Sequence, residues 1–133
     1  MVYGPVAANI AATNTGTTEA VIATTPTISS APAGGAGYSV RGVVTFTGNA
    51  SASTCTLKVR QGSNTTSGTA VYTSPAITVA AGAVVSIPFA CLDLTAAGTG
   101  VANYSVTQTN SGGAGNSGTI VGYVEVMPAV END

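Results

Sequence analysis

Apolar side chains recur at every second position through most of this chain, a period that suits extended strands and not helices. Tyr38, Val40, Val44 and Phe46 alternate with Ser39, Arg41, Thr45 and Thr47, and Cys55, Leu57 and Val59 alternate with Thr54, Thr56, Lys58 and Arg60. Successive side chains of a strand point to opposite faces, so each run reads as a strand with one buried face. Composition agrees. Hydrophobic residues make up 44% of the 133 residues but aromatics only 5%, so the core must come from Val, Ile, Leu and Ala. The remainder is mostly Thr, Ser and Gly, and residues branched at Cβ pack better on a pleated surface than in a helix.

The same reading continues along the chain. After the turn Gly48-Asn49-Ala50-Ser51 and the polar loop Gln61 to Gly68, short strands are predicted near Thr69 to Thr73 and Ala76 to Val79, broken by Ser74-Pro75. A run from Ala83 to Cys91 places Val85, Ile87, Phe89 and Cys91 on one face, and Pro88, which has no N–H for a ladder, marks an edge position or a bulge. After a loop from Asp93 to Gly100, a strand from Val101 to Thr109 turns Ala102, Tyr104 and Val106 one way. The loop Asn110 to Gly118 is small and polar. In the last strand, Thr119 to Met127, Ile120, Val124 and Val126 line one face while Val121, Tyr123 and Met127 line the other. The outer face of a sandwich strand is normally wet, so a second apolar face calls for cover from another chain.

Seven or eight short strands spaced by Gly-rich turns predict an all-β, antiparallel two-sheet sandwich or jelly roll over residues 38–127. The segment 1–37, rich in Ala, Thr and Pro, reads as an extended N-terminal arm with one short strand, Ala20 to Thr25, that either wraps a neighbour or stays free. Residues 128–133 read as an acidic exposed tail. Met1 to Ile10 lacks the charged start and long apolar core of a secretory leader, and no run is long enough to span a membrane, which predicts a soluble product made in the cytosol.

Three basic and five acidic residues give a net charge of −2 with no basic cluster. Counterion release from a phosphate backbone is then negligible, which argues against direct nucleic-acid binding. A surface with so little charge does not repel other proteins, and suits a component covered in an assembly.

Catalytic chemistry is poorly supplied. Without histidine there is no Ser-His-Asp or Cys-His relay. Glu19, Asp93 and Glu125 are the internal acids available for a glycosidase-type carboxylate pair, and all three fit surface positions. Alternation turns Lys58 outward into solvent, where it stays protonated and activates nothing. Cys55 and Cys91 read as buried thiols, a Cys55–Cys91 disulfide being the lesser alternative, and two isolated ligands do not fill a tetrahedral metal site. Gly113-Ala114-Gly115-Asn116-Ser117-Gly118 matches G-x-G-x-x-G but precedes a strand, so it reads as a hairpin loop, and no cofactor is expected. Asn49-Ala50-Ser51, Asn64-Thr65-Thr66 and Asn103-Tyr104-Ser105 match the glycosylation pattern, as any Ser- and Thr-rich chain does by chance. Arg41, Arg60 and Glu125 stand out on a nearly uncharged surface, either as ion pairs that set register across a subunit boundary or as exposed pairs of little worth.

The run Tyr38 to Met127 resembles the small jelly-roll proteins on tailed-phage heads and fibres. The likeness lies in Tyr38-Ser39-Val40-Arg41-Gly42-Val43-Val44-Thr45-Phe46, Cys55-Thr56-Leu57-Lys58-Val59-Arg60-Gln61-Gly62 and Gly122-Tyr123-Val124-Glu125-Val126. It extends to trimeric jelly rolls of the tumour-necrosis-factor type, in which the last strand lies near the threefold axis. The resemblance implies a capsid decoration (head cement or head fibre) protein that acts on the virion exterior as a homotrimer and bridges major capsid protein subunits. Val121, Tyr123 and Met127, with Arg41, Arg60 and Glu125, would then make the subunit contact. The arm, through Val2, Tyr3, Pro5, Ile10, Val21 and Ile22, would touch the capsid. The alternative is a fibre module that binds a cell-surface glycan through the loops Gln61 to Gly68 or Asn110 to Gly118.

Overall fold

The computed structural model describes residues 5–14, 17–29, 37–48, 51–93, 101–111 and 118–128. Among these the chain forms eleven strands and no helix: β1 (Val6–Asn14), β2 (Ala20–Thr24), β3 (Ile28–Ser29), β4 (Tyr38–Thr47), β5 (Ser53–Gln61), β6 (Ala70–Thr73), β7 (Ile77–Val79), β8 (Val84–Asp93), β9 (Val101–Ala102), β10 (Tyr104–Ser111) and β11 (Gly118–Pro128). One sheet has the order β1-β11-β4-β8; the other runs β2-β10-β5-β6, with β7 also paired to β5; β3 and β9 make a two-stranded ribbon. Every pairing is antiparallel. The first strand pairs with the last and β2 pairs with β10, the double wrapping of a jelly roll.

The alternation read from the sequence is the alternation of burial. Val40, Val44 and Phe46 of β4, Cys55, Leu57 and Val59 of β5, Phe89 of β8, and Ile120, Val124 and Val126 of β11 all lie in one core between the sheets. The few aromatics stitch that core. Tyr38 meets Tyr104 edge-on across the sheets at 6.5 Å between ring centroids, and Tyr72 stacks on Phe89 at 6.2 Å. Pro88 sits in β8, an edge strand, where a missing donor costs least.

The N-terminal segment departs from the expected arm. Val6 to Asn14 pairs residue for residue with β11, from Val6 opposite Val126 to Asn14 opposite Gly118. Ile10 (β1) and Ile22 (β2) are buried in the core at 2% and 9% exposure, so neither is available as a capsid contact. The reason is packing: β11 and β10 each need a second neighbour, and Val6 and Ile10 carry the inward face of the strand that supplies one of them. A bulge in the β2–β10 pairing turns both Ile22 and Ala23 inward, which erases the period-two signal there. The tail after Pro128, residues 30–36 and most of the Gly113 to Gly118 run lie outside the described residues; Gly118 itself opens β11, a strand.

Candidate functional site

The two outer faces of the sandwich differ sharply. Across the four-stranded sheet, register places Asn9, Tyr123, Val43 and Pro88 in one row, with Ala11, Val121, Thr45 and Ser86 beside it on one side and Ala7, Glu125, Arg41 and Ala90 on the other. Among the described residues the exposed large hydrophobics are Val84 (65%), Leu92 (59%), Tyr123 (47%) and Val121 (43%). All four point outward from this one sheet. The flanking rows are polar at their centres: Thr45 Oγ1 and Ser86 Oγ share a hydrogen bond at 2.8 Å, and Arg41 donates to Glu125 at 3.0 Å. An apolar strip rimmed by satisfied polar pairs is the usual form of a protein contact surface. Of the expected subunit residues, Val121 and Tyr123 lie at the centre of this strip, Glu125 and Arg41 on its rim, and Met127, half-buried, at its end. Val43 and Pro88 belong to the same strip and become neighbours of Tyr123 only once the register between β11, β4 and β8 is known; Val84, opposite Thr47, and Leu92, opposite Ser39, lie beyond the polar pairs towards the two ends of the same face.

Arg60 does not belong to this face. It lies on the outer side of the five-stranded sheet, where Nε and Nη2 donate to the two Glu19 oxygens at 2.7 and 2.9 Å and Nη1 donates to the Gly68 carbonyl at 2.7 Å. Lys58 approaches Glu19 at 3.5 Å. The bidentate hydrogen bonds from Arg60, against the opposing effect of burial and helped by the Arg60 and Lys58 charges, hold the Glu19 carboxyl below the ordinary carboxylate range. Arg60 and Glu19 thus form an internal clamp between β5 and the start of β2, on the sheet opposite the one that carries Val121 and Tyr123. Around them the face is built from Thr54, Thr56, Thr107 and Thr109. The loop after β5 folds back onto it: Asn64 N donates to Thr24 Oγ1, Thr65 N donates to Ser105 Oγ, and Ser67 N and Gly68 N both donate to Thr65 Oγ1. These groups of the expected glycan loop are spent on the fold itself.

The three acids are kept apart. Glu19 is on the outside of one sheet and Glu125 on the outside of the other, while Asp93 is 1% exposed inside the sandwich. The expected surface position for Asp93 is therefore corrected. It accepts hydrogen bonds from Tyr104 Oη at 2.7 Å and Gln61 Nε2 at 2.8 Å, joining the end of β8 to β10 and β5. Burial and the neighbouring carboxylate together raise the Tyr104 hydroxyl above its ordinary range, so it remains a donor. Acids on opposite faces and in the interior cannot act as a pair across one bond.

Both cysteines are free thiols. Asp93, two residues beyond Cys91, touches Gln61 at the end of β5, whereas Cys55 lies six residues further along that strand, roughly 20 Å away at the rise of a strand. A disulfide needs Cα atoms within about 7 Å. Burial pushes up both thiols, Cys91 to about 11 with the Asp93 charge adding to it, so neither is a nucleophile at neutral pH. Among the described residues no group of three His, Cys, Asp or Glu could hold a metal. The cleft near Cys55, lined by Phe46, Val79, Gln108 and Asn110, has a cavity volume of about 20 Å³, room for about one water molecule.

Fold and surface together define an all-β sandwich of the jelly-roll kind whose exposed large hydrophobics, among the described residues, share one outer face. No protein-family model matches the chain, and no curated protein matches it significantly in sequence. Solved structures with this fold include a chain of infectious bursal disease virus, Gx strain (TM-score 0.63, 16% identity, 92% of this chain and 32% of that one). A chain of the T13 particle of the same virus also matches (TM-score 0.61, 18% identity, 92% and 30%). Both are chains from structures of this virus, and this chain spans about a third of their length. A subunit of the disulfide-linked pili of Bacillus endospore appendages matches at TM-score 0.47 and 16% identity, over 98% of this chain and 96% of that one. At these identities the likeness is one of fold.

Proposed function

We propose that the chain is a structural protein of a viral particle, a decoration or cement protein that binds the exterior of the assembled head as a homotrimer and stabilises the shell. The observation that carries this reading is the confinement of all exposed large hydrophobics among the described residues to the outer face of one sheet. Val121, Tyr123 and Val43 would meet their counterparts around the threefold axis, with the Arg41–Glu125 pair at the rim. The fold shared with capsid proteins of an icosahedral virus supports a role in a particle. Pro5, exposed where the chain enters β1, half-buried Val21 of β2, and Val2 and Tyr3, which lie outside the described residues, remain the capsid-contact candidates. Stabilisation then follows from mass action: a partner that binds only the assembled shell, through the major capsid protein, stabilises it by the free energy of binding.

Sedimentation at low micromolar concentration, alone and with expanded capsid shells, tests the reading. The expected result is a particle of three times the 12.8 kDa chain mass that pellets with the shells. A monomer that stays in the supernatant overturns it.

A further inference from the structure

A sheet edge carries unpaired N–H and C=O groups, and proteins blunt such edges with proline, charge, bulges or short strands. The two main sheets of this chain have four edges, and three are blunted. β8 is ten residues long but has Pro88, exposed, near its middle. β2 has five residues and a bulge against β10. The edge formed by β6 and β7 is split by Ser74-Pro75-Ala76 into pieces of four and three residues.

β1 has none of these devices. Its nine residues, VAANIAATN, contain no proline and no charge, and its register with β11 runs without a shift. Among the described residues no strand pairs with its other side. Ala7, Asn9, Ala11 and Thr13, its outward row, are small and exposed, so another strand can approach closely.

We propose that the free edge of β1 is a strand-addition site and that its occupant is β1 of a second copy of this chain. Head-to-tail addition needs two open edges on each molecule, and the two main sheets offer one among the described residues. The pairing that remains is isologous, edge to identical edge about a twofold axis, which antiparallel strands satisfy with their own donors and acceptors. Centred on Ile10, it sets Asn9 of one copy opposite Ala11 of the other and joins two four-stranded sheets into one of eight. The contact uses the free edge of β1 and not the outer face, but Asn9 and Ala11 stand beside Tyr123 and Val121, so the Tyr123→Asp background is what separates it from the threefold reading.

The experiment is sedimentation equilibrium from low to several hundred micromolar, on wild type, on Asn9→Lys/Ala11→Lys, and on both in a Tyr123→Asp background that removes the strip contact. The expected result is mass growth with concentration that the lysine pair suppresses by at least about tenfold in dissociation constant, and a monomer–dimer equilibrium in Tyr123→Asp that the lysines abolish. If the strip makes no trimer, wild type itself shows the monomer–dimer equilibrium and the lysine comparison decides the edge by itself. Should the lysine variant lose its β circular dichroism, Asn9→Cys/Ala11→Cys replaces it, expected to give a covalent dimer under mild oxidation. Growth that the lysines leave unchanged, the absence of growth, or, where the cysteine variant is used, no covalent dimer overturns the proposal.

Discussion

Truncating Tyr123 gives the sharpest measure of the apolar strip. The ring leans on the outer face of the four-stranded sheet between Asn9 and Val43 and is 47% exposed in the single chain. An aromatic side chain buries about 150 to 250 Å² when fully covered, so about 70 to 120 Å² of Tyr123 remains to be removed from water. At about 25 cal/mol per Å², covering it contributes about 2 to 3 kcal/mol, or roughly 30- to 150-fold in affinity. Tyr123→Ala should weaken the subunit contact by that factor. Tyr123→Asp should abolish it, because an unpaired carboxylate would also have to be desolvated. The side chain takes no part in the core, so far-ultraviolet circular dichroism should not change. Thr56→Asp, on the outer face of the other sheet, is the control and should leave the mass distribution untouched. A change of less than threefold for Tyr123→Ala in sedimentation equilibrium, or an equal effect from Thr56→Asp, would refute the assignment of the face.

Tyr104→Phe keeps the edge-on contact with Tyr38 but deprives buried Asp93 of a 2.7 Å donor; urea unfolding should show a loss of about 1.5 to 3 kcal/mol with an unchanged m-value. The Glu19 carboxyl is depressed in the folded state, so its contribution is present above its unfolded value, about 4.3, and is lost as the pH falls through the lower folded value. The stability difference between wild type and Glu19→Gln should accordingly be constant near neutrality and shrink below about pH 4.5, as read from urea titrations at several pH values. Gly42 faces inward in β4, where an added Cβ would press on the Tyr123 carbonyl and come within 2.8 Å of the Phe89 ring; Gly42→Ala should lower the free energy of urea unfolding by about 1 to 3 kcal/mol through overpacking.

Strands with large alternating side chains were legible from the sequence. β4, β5, β8 and β11 carry their inward residues where the period-two reading puts them, because those strands lie within a sheet or bury a continuous face. β1 was obscured because alanines occupy both of its faces, Ala8 and Ala12 inside against Ala7 and Ala11 outside, and its partner β11 lies at the far end of the chain. Asp93 was misplaced for a different reason. An acid followed by Leu, Thr, Ala, Ala and Gly resembles the start of a surface loop, and its burial depends on Tyr104 and Gln61, donors from two other strands. Gln108 and Asn110 likewise sit inside, against Cys55, though their amides look like solvent-facing loop chemistry. Arg60 was correctly turned outward, but its partner Glu19 comes from the connection into β2, a neighbour that alternation along one strand cannot reveal.

The pairing of β1 with β11 also has a kinetic consequence. Closing that ladder brings Val6 against Val126, a long-range step that must be entropically paid for before any of its bonds form. All-β domains with such topology fold in milliseconds to seconds. Until the loop closes, Ile120, Val124 and Val126 lack half of their lateral support. Deleting residues 1–14 should therefore slow refolding less than it speeds unfolding, because a ladder that forms late stabilises the native state without speeding the approach to it.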